Sequence, residues 1–109
     1  MCGLAGIYGK INNEHLLSLQ KMSEAIQHRG PDAEGTFSDA QVALAHRRLS
    51  IIDLSDGANQ PFKVADLPYI LVFNGEIYNY KALKAALGTS FQTDSDTEVL
   101  LRAFHAWGP

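Results

Sequence analysis

The chain has 109 residues, of which 46% are apolar and 19% are charged, and its 9 basic and 12 acidic side chains give a formal net charge of −3. This composition is typical of one compact domain with a hydrophobic core and excludes a disordered, highly charged chain. The four arginines are scattered at positions 29, 47, 48 and 102. Without a cluster of positive charge, nucleic acid is not an expected partner.

Cysteine content and hydropathy indicate the cellular setting. Cys2 is the single cysteine, so an internal disulfide and a CxxC motif are excluded and a reducing cytoplasm is predicted. The longest apolar run, Tyr69 to Phe73, is far shorter than the roughly 20 residues that a membrane-spanning helix needs. The first residues lack the basic segment of a signal peptide. We therefore expect a cytoplasmic location and no membrane partner.

The N-terminal elements follow from glycine spacing and hydrophobic periodicity. Leu4 to Tyr8 is an apolar run bracketed by glycines, which predicts a short buried strand. Apolar residues recur at three- and four-residue steps over Glu14 to His28, which predicts an amphipathic helix. Asn12 or Asn13 can cap its start, and the following Gly-Pro pair stops it.

The sequence predicts β-strands separated by loops in the middle of the chain. Phe37 and Val42 to His46 predict two strands joined by a turn at residues 38–40, with an apolar continuation at positions 51–52 after Arg47 and Arg48. Residues 55–61 form a loop by composition. Tyr69 to Phe73 predicts a further strand that Asn74-Gly75 terminates with a turn.

Two helices are predicted in the last third of the chain. The first runs from Tyr80 to Leu87 and ends at Gly88, and the second begins at the capping box Ser95 to Glu98 and runs almost to the end. No repeat or linker divides the chain, so residues 1–109 are predicted to be one domain. Because the chain stops directly after a helix-ending Gly-Pro pair, we expect a truncated domain.

Cys2 is the first candidate for chemistry. Removal of Met1 would place a free α-amine and a thiol on the same residue, and the amine can act as general base for the thiol. The alternative is a small residue buried in an N-terminal strand.

Three further positions offer complementary groups, each with a structural alternative. Asn74 and Gly75 can supply an amide side chain and a backbone N–H as paired donors to an oxyanion, or simply form a turn. The Arg48 guanidinium suits a carboxylate, or pairs structurally with Asp32 or Asp53. Asp96 can hold an ammonium group, or stabilise a helix start.

Metal and nucleotide sites have little support. The four histidines lack the HxH and HExxH spacings, and no second cysteine exists to complete a zinc site. The glycines at 3, 6 and 9 match neither phosphate-binding glycine motif. No metal site and no cofactor are therefore predicted for this chain.

Together these candidates suit an amino acid with a side-chain carbonyl, and five ordered motifs carry a resemblance to a known family. The chain resembles the glutaminase domain of glutamine-hydrolysing asparagine synthetases over its whole length. The motifs are Met1-Cys2-Gly3, His28-Arg29-Gly30-Pro31-Asp32-Ala33-Glu34-Gly35, His46-Arg47-Arg48-Leu49-Ser50-Ile51-Ile52-Asp53, Asn74-Gly75-Glu76-Ile77-Tyr78-Asn79-Tyr80 and Ser95-Asp96-Thr97-Glu98.

The resemblance assigns a role to each candidate. It implies that Cys2 is the nucleophile, that Asn74 and Gly75 form the oxyanion hole, and that Arg48 and Asp96 bind the α-carboxylate and α-ammonium of glutamine. It implies a pocket lined by Leu49, Ser50, Ile51, Ile52 and Glu76. Residues 28, 29, 31 and 32 are predicted to form a structural loop, because no step of the chemistry needs them.

The implied fold is an α+β N-terminal nucleophile hydrolase sandwich, with two antiparallel sheets between helical layers (αββα), of which this chain is the N-terminal portion. The implied activity is hydrolysis of glutamine through a Cys2 thioester, supplying ammonia to a synthetase domain that lies outside the chain and uses aspartate, ATP and Mg²⁺. Unpaired strand edges predict self-association of the isolated piece and little activity. The alternatives are an inactive fragment, a non-catalytic association module, or the same domain from a relative with another ammonia acceptor.

Overall fold

The computed structural model describes residues 2–49 and 59–109. Within these ranges the α+β class is confirmed, because one sheet and several helices are present. In chain order the elements are β1 (Gly3–Tyr8), α1 (Asn13–Ala25), β2 (Ala33–Ser38), β3 (Val42–Arg48), α2 (Tyr80–Leu87) and α3 (Asp96–Trp107). A 3₁₀ turn at Gln27–Arg29 follows α1. No helix in the described ranges is both long and apolar enough to cross a bilayer.

The three strands form an antiparallel sheet in the order β1-β3-β2. The predicted hairpin between β2 and β3 is confirmed, and the Asp39 side chain closes its turn by accepting from the backbone N–H groups of Gln41 and Val42. The predicted end of the second strand at His46 is wrong, because β3 continues through Arg47 and Arg48. The Arg47 backbone pairs with both neighbouring strands and the Arg48 backbone pairs with Ala33 of β2, so polar side chains do not end the strand.

The two faces of the sheet differ. Ala43 and Ala45 of β3 are fully buried and pack with Leu19 of α1 in a small core. Strand β1 is predicted to be buried. This prediction is wrong for the face opposite α1, where Leu4 and Tyr8 are 43% and 87% exposed. Alternation along a strand places successive side chains on opposite faces, and within the described residues helix α1 covers only one of them.

Helix α1 has the predicted start and an earlier end. Asn12 is its N-cap, accepting from the backbone N–H of His15 at 3.0 Å, while the His15 ring accepts from the Asn12 N–H at 3.1 Å. The helix ends at Ala25 rather than at His28, since the chain tightens into the 3₁₀ turn before Gly30. The backbone of β3 lies so close to Gly30 that a Cβ there would overlap the carbonyl of Arg47.

The predicted strand at Tyr69–Phe73 is wrong. Within the described residues this segment makes a single bridge, between Leu71 and Phe62, with N···O distances of 2.7 and 2.9 Å. Phe62 and Leu71 belong instead to a second core, packed with Leu101 of α3. Beyond the bridge, side chains rather than a partner strand bond the backbone of Phe73.

The predicted helices α2 and α3 are confirmed. Helix α2 spans the predicted residues and ends at Gly88, whose φ of +62° lies in the left-handed region that favours glycine. Helix α3 begins after the N-cap Ser95, whose hydroxyl accepts from the backbone N–H of Glu98 at 3.2 Å. Only this half of the predicted capping box forms, because the Glu98 carboxylate bonds elsewhere.

Candidate active site

Cys2 directly precedes β1 and is partly buried beside the end of β3. The backbone N–H of Leu49 donates to its Sγ at 3.3 Å, and the thiol lies 3.7 Å from the Leu49 carbonyl oxygen. These contacts fix the position of the sulfur beside the end of β3. The position therefore suits a nucleophile.

Arg29 holds the backbone of the same residue. Its Nε donates to the carbonyl oxygen of Cys2 at 3.1 Å. The contact reaches across 27 positions in sequence, so the spacing of the residues could not reveal it. Arg29 thus has a defined contact in the structure, beyond forming the loop after α1.

Arg47 and Arg48 are adjacent in sequence and lie on opposite faces of the sheet. Arg47 points toward α1, where its Nε donates to the Ser23 hydroxyl at 2.9 Å and its Nη2 pairs with Glu34 at 3.0 Å. Arg48 is 7% exposed, and its Nη1 donates to Oδ1 of Asn59 at 2.6 Å. Arg47 is thereby a structural tie between α1 and β2.

The segment with Asn74, Gly75 and Glu76 is exposed and lies outside the strands. A Cβ at Gly75 would come 2.9 Å from the ring of Phe73, so a larger residue would displace that ring. The segment makes contact with the start of α3, where Oδ2 of Asp96 accepts from the backbone N–H of Ile77 at 2.9 Å. Asp96 is thus more than a helix-start residue, since its side chain reaches across to this loop.

Not all candidate residues are brought into contact. Leu49 touches Cys2, and Asp96 touches the 74–77 segment, whereas no hydrogen bond within the described part of the chain joins Cys2 to Asn74 or Gly75. The pocket residues Ser50, Ile51 and Ile52 lie outside the described residues. Three residues that sequence reasoning did not assign to the site contact Phe73 or Arg48: the buried His46 and Gln60, and the partly buried Asn59.

A buried ionic network fixes the start of α3. The Glu98 carboxylate is fully buried and accepts from the backbone N–H groups of Gln92 and Thr93, the Thr93 hydroxyl, and Nε of Arg102 at 2.7 Å. Burial alone would raise the pKa of Glu98, but the Arg102 contact and these other hydrogen bonds together hold it below its ordinary value. The ionised carboxylate therefore anchors the turn that leads into Asp96.

Among the residues that the structure describes, no three His, Cys, Asp or Glu side chains lie close enough together to hold a metal ion. The chemistry that these residues offer is a thiol, a carboxylate, a guanidinium and backbone donors.

The whole chain, residues 1–109, matches the model of a glutamine amidotransferase domain. The chain therefore belongs to the glutamine amidotransferase domain family. Over 113 residues it is 45% identical to glutamine-hydrolyzing asparagine synthetase 1 of Bacillus subtilis (strain 168), covering 95% of this chain and 17% of that protein.

Two further relatives are also named glutamine-hydrolyzing asparagine synthetases. The identity is 40% to asparagine synthetase B (glutamine-hydrolyzing) of Escherichia coli (strain K12), covering 100% of this chain and 20% of the relative. The identity to the glutamine-hydrolyzing asparagine synthetase of Zea mays is also 40%, covering 99% of this chain and 19% of that relative. The chain thus spans about a fifth of the length of these relatives.

Proposed function

We propose that this chain is the glutamine-hydrolysing part of an asparagine synthetase and releases ammonia from the side-chain amide of glutamine. The observation that carries the proposal is the placement of Cys2 at the start of β1, with the Leu49 N–H directed at its sulfur. The family match over residues 1–109 and the names of the relatives support the same reaction.

The proposed chemistry needs the α-amine of Cys2, so Met1 must be removed. The amine accepts the thiol proton, and the thiolate attacks the amide carbon of glutamine. Asn74 and the Gly75 N–H donate to the oxyanion that develops on the amide oxygen. Collapse of the adduct releases ammonia with the transferred proton, and water then hydrolyses the glutamyl thioester to glutamate and free thiol.

The amino-acid end of glutamine is proposed to bind Arg48 and Asp96. A guanidinium fork binds a carboxylate through two parallel hydrogen bonds, and the Asp96 carboxylate complements an ammonium group. Leu49, Ser50, Ile51, Ile52 and Glu76 are the proposed pocket residues. The structural alternative for Arg48, an ion pair with Asp32 or Asp53, stays open, and Asp53 lies outside the described residues.

The remaining parts of the proposal concern the rest of the molecule. We propose that further strands and helices complete an αββα sandwich, and that a synthetase domain accepts the ammonia in the cytoplasm. ATP and Mg²⁺ are proposed to act in that synthetase domain.

A second candidate function is association without catalysis. The exposed side chains of Leu4 and Tyr8, on the sheet face opposite α1, favour it, because exposed apolar residues can pack against another chain. An amidotransferase domain that serves another ammonia acceptor is the remaining alternative.

The test measures ammonia release from glutamine together with the intact mass of the protein. We expect the complete natural polypeptide to lack Met1 and to release ammonia in proportion to glutamine consumed. Retention of Met1, or no release by the processed protein, would contradict the proposed mechanism. The 109-residue segment, assayed alongside with light scattering, is expected to be weakly active and self-associated, and equal turnover by a monomeric segment would contradict the proposed need for further strands.

A further inference from the structure

The segment that carries the proposed oxyanion donors lies outside the sheet. Residues 74–76 are exposed, and the last backbone bridge before them is at Leu71. Hydrogen-bond donors stabilise a transition state only if they are held in place before the reaction. Some other part of the molecule must therefore hold this segment.

Two buried side chains bond both backbone groups of Phe73, the residue before Asn74. Oε1 of Gln60 accepts from the Phe73 N–H at 2.5 Å, and Nε2 of His46 lies 3.1 Å from the Phe73 carbonyl oxygen. Gln60 is 7% exposed and His46 is fully buried. These bonds replace the strand ladder that Phe73 lacks.

Each of the two side chains is itself held by regular structure. His46 lies on the central strand β3, paired with Leu4 on one side and Gly35 on the other. The Gln60 backbone packs so tightly on Gly35 that a Cβ there would overlap its carbonyl oxygen. The Gln60 amide also lies 3.4 Å from the Thr97 hydroxyl of α3. The position of Phe73 is thus fixed relative to both the sheet and α3.

We infer that Gln60 and His46 are positioning residues for the oxyanion hole, holding Phe73 so that Asn74 and Gly75 present their donors at a fixed place. The inference rests on the proposed function. It concerns the start of the segment, whereas Asp96 holds its other end through Ile77.

The hydrogen bond to Phe73 defines the state of the imidazole. A carbonyl oxygen only accepts, so Nε2 of His46 carries the proton, and the buried Nδ1 has no hydrogen-bond partner among the described residues. A proton on Nδ1 would add a second buried donor, and this donor would have no acceptor among the described residues. Burial, partly offset by the Phe73 carbonyl and reinforced by Arg48, lowers the pKa of His46, which keeps the ring neutral.

The test pairs a disrupting variant with a conservative one at each position, in the complete natural polypeptide. Gln60→Met removes the acceptor for the Phe73 N–H and Gln60→Glu keeps it. His46→Met removes the donor and His46→Gln keeps an N–H at the place of Nε2. Ser23→Ala is the control, because Ser23 is equally buried but contacts Arg47 under α1.

We expect the two Met variants to lower kcat for glutamine hydrolysis by about 10- to 100-fold, because donors displaced by a fraction of an ångström lose much of their effect. The KM for glutamine should change less than threefold or so, since oxyanion donors act mainly in the transition state. The conservative variants should recover most of kcat, and Ser23→Ala should lower stability without changing kcat.

A structural measurement accompanies the kinetics. Amide hydrogen exchange at Phe73 should accelerate in Gln60→Met relative to exchange at Phe62, whose amide bonds to the Leu71 carbonyl and not to the Gln60 side chain. Unchanged exchange at Phe73, or unchanged kcat in both Met variants of an active protein, would overturn the inference and leave the proposed function intact. A kcat that falls equally in the Met and conservative variants would also overturn it. Wild-type protein that releases no ammonia would instead refute the proposed function, and with it this inference.

Discussion

The carboxylate of Asp96 accepts a hydrogen bond from the backbone N–H of Ile77 at 2.9 Å, across 19 positions in sequence. The bond joins the first turn of α3 to the loop that follows Gly75. The residue proposed to bind the α-ammonium of glutamine therefore also holds one end of the segment that carries the oxyanion donors. The placement of this loop thus depends on the side chain that is proposed to bind the substrate.

This double role predicts that two substitutions of Asp96 will have different effects on kcat. Asp96→Asn keeps an oxygen that can accept from Ile77 but loses the charge, so the KM for glutamine should rise about tenfold with a smaller change in kcat. Asp96→Ala loses both and should lower kcat as well. The control is Asp94→Asn, which alters an exposed partner of Lys84. Equal kcat for the Asn and Ala variants would contradict a positioning role for Asp96.

Substitution of Cys2 tests the nucleophile. Cys2→Ala should lower ammonia release by about 10⁴-fold or more, because a covalent intermediate can no longer form. Circular dichroism and thermal unfolding should show a retained fold, since the thiol is only partly buried. An electrophilic analogue of glutamine should label Cys2 of the wild type, and labelling that persists in Cys2→Ala would exclude this assignment.

The two adjacent arginines provide a matched pair. Arg48→Lys keeps a positive charge but loses the planar fork, and we expect the KM for glutamine to rise about tenfold with kcat less affected. Arg47→Lys should instead lower the melting temperature, because it breaks the contacts with Ser23. Steady-state kinetics and thermal unfolding of both variants check the prediction, and a raised KM in Arg47→Lys alone would refute it.

The buried carboxylate of Glu98 is predicted to matter for stability. Glu98→Ala leaves two backbone N–H groups and Arg102 without their buried acceptor, and we expect a loss of about 3 kcal/mol in the free energy of unfolding. Asp66→Asn removes the negative charge of the exposed partner of Arg102 and should cost far less. Urea unfolding measures both, and similar losses for the two variants would contradict the importance of burial.

The pH dependence of stability should reveal the protonation of the His46 imidazole. Because burial lowers the pKa of the folded-state imidazole from its ordinary value of 6.5, the unfolded chain binds a proton at a higher pH than the folded chain does. Stability from this group is therefore complete above about pH 6.5 and is lost as the pH falls toward the folded-state pKa. His46→Gln has no such group, so its stability should fall less steeply with acid. Unfolding free energies of wild type and variant that run parallel between about pH 5 and 8 would disprove this.

Local features of the sequence determined the hairpin, the bounds of α2, the N-cap of α3 and the five motifs that identify the family. These depend on residues a few positions apart, such as Gly88 at the end of α2 and Asp39 in the hairpin turn, so the chain encodes them directly. Cys2, Arg48 and Asp96 themselves were identified as candidates for the same reason, since each lies at the edge of a predicted element.

Only the tertiary structure decided what the polar residues between these elements do. Gln60 and Phe73 meet across 13 positions and His46 and Phe73 across 27, and Arg47 differs from Arg48 only in the face of β3 that it occupies. Tyr69 to Phe73 has the composition of a strand, yet side chains bond the Phe73 backbone in place of a neighbouring strand. A backbone N–H or carbonyl must find some partner when buried, and which partner it finds depends on which distant side chains the fold brings within about 3 Å.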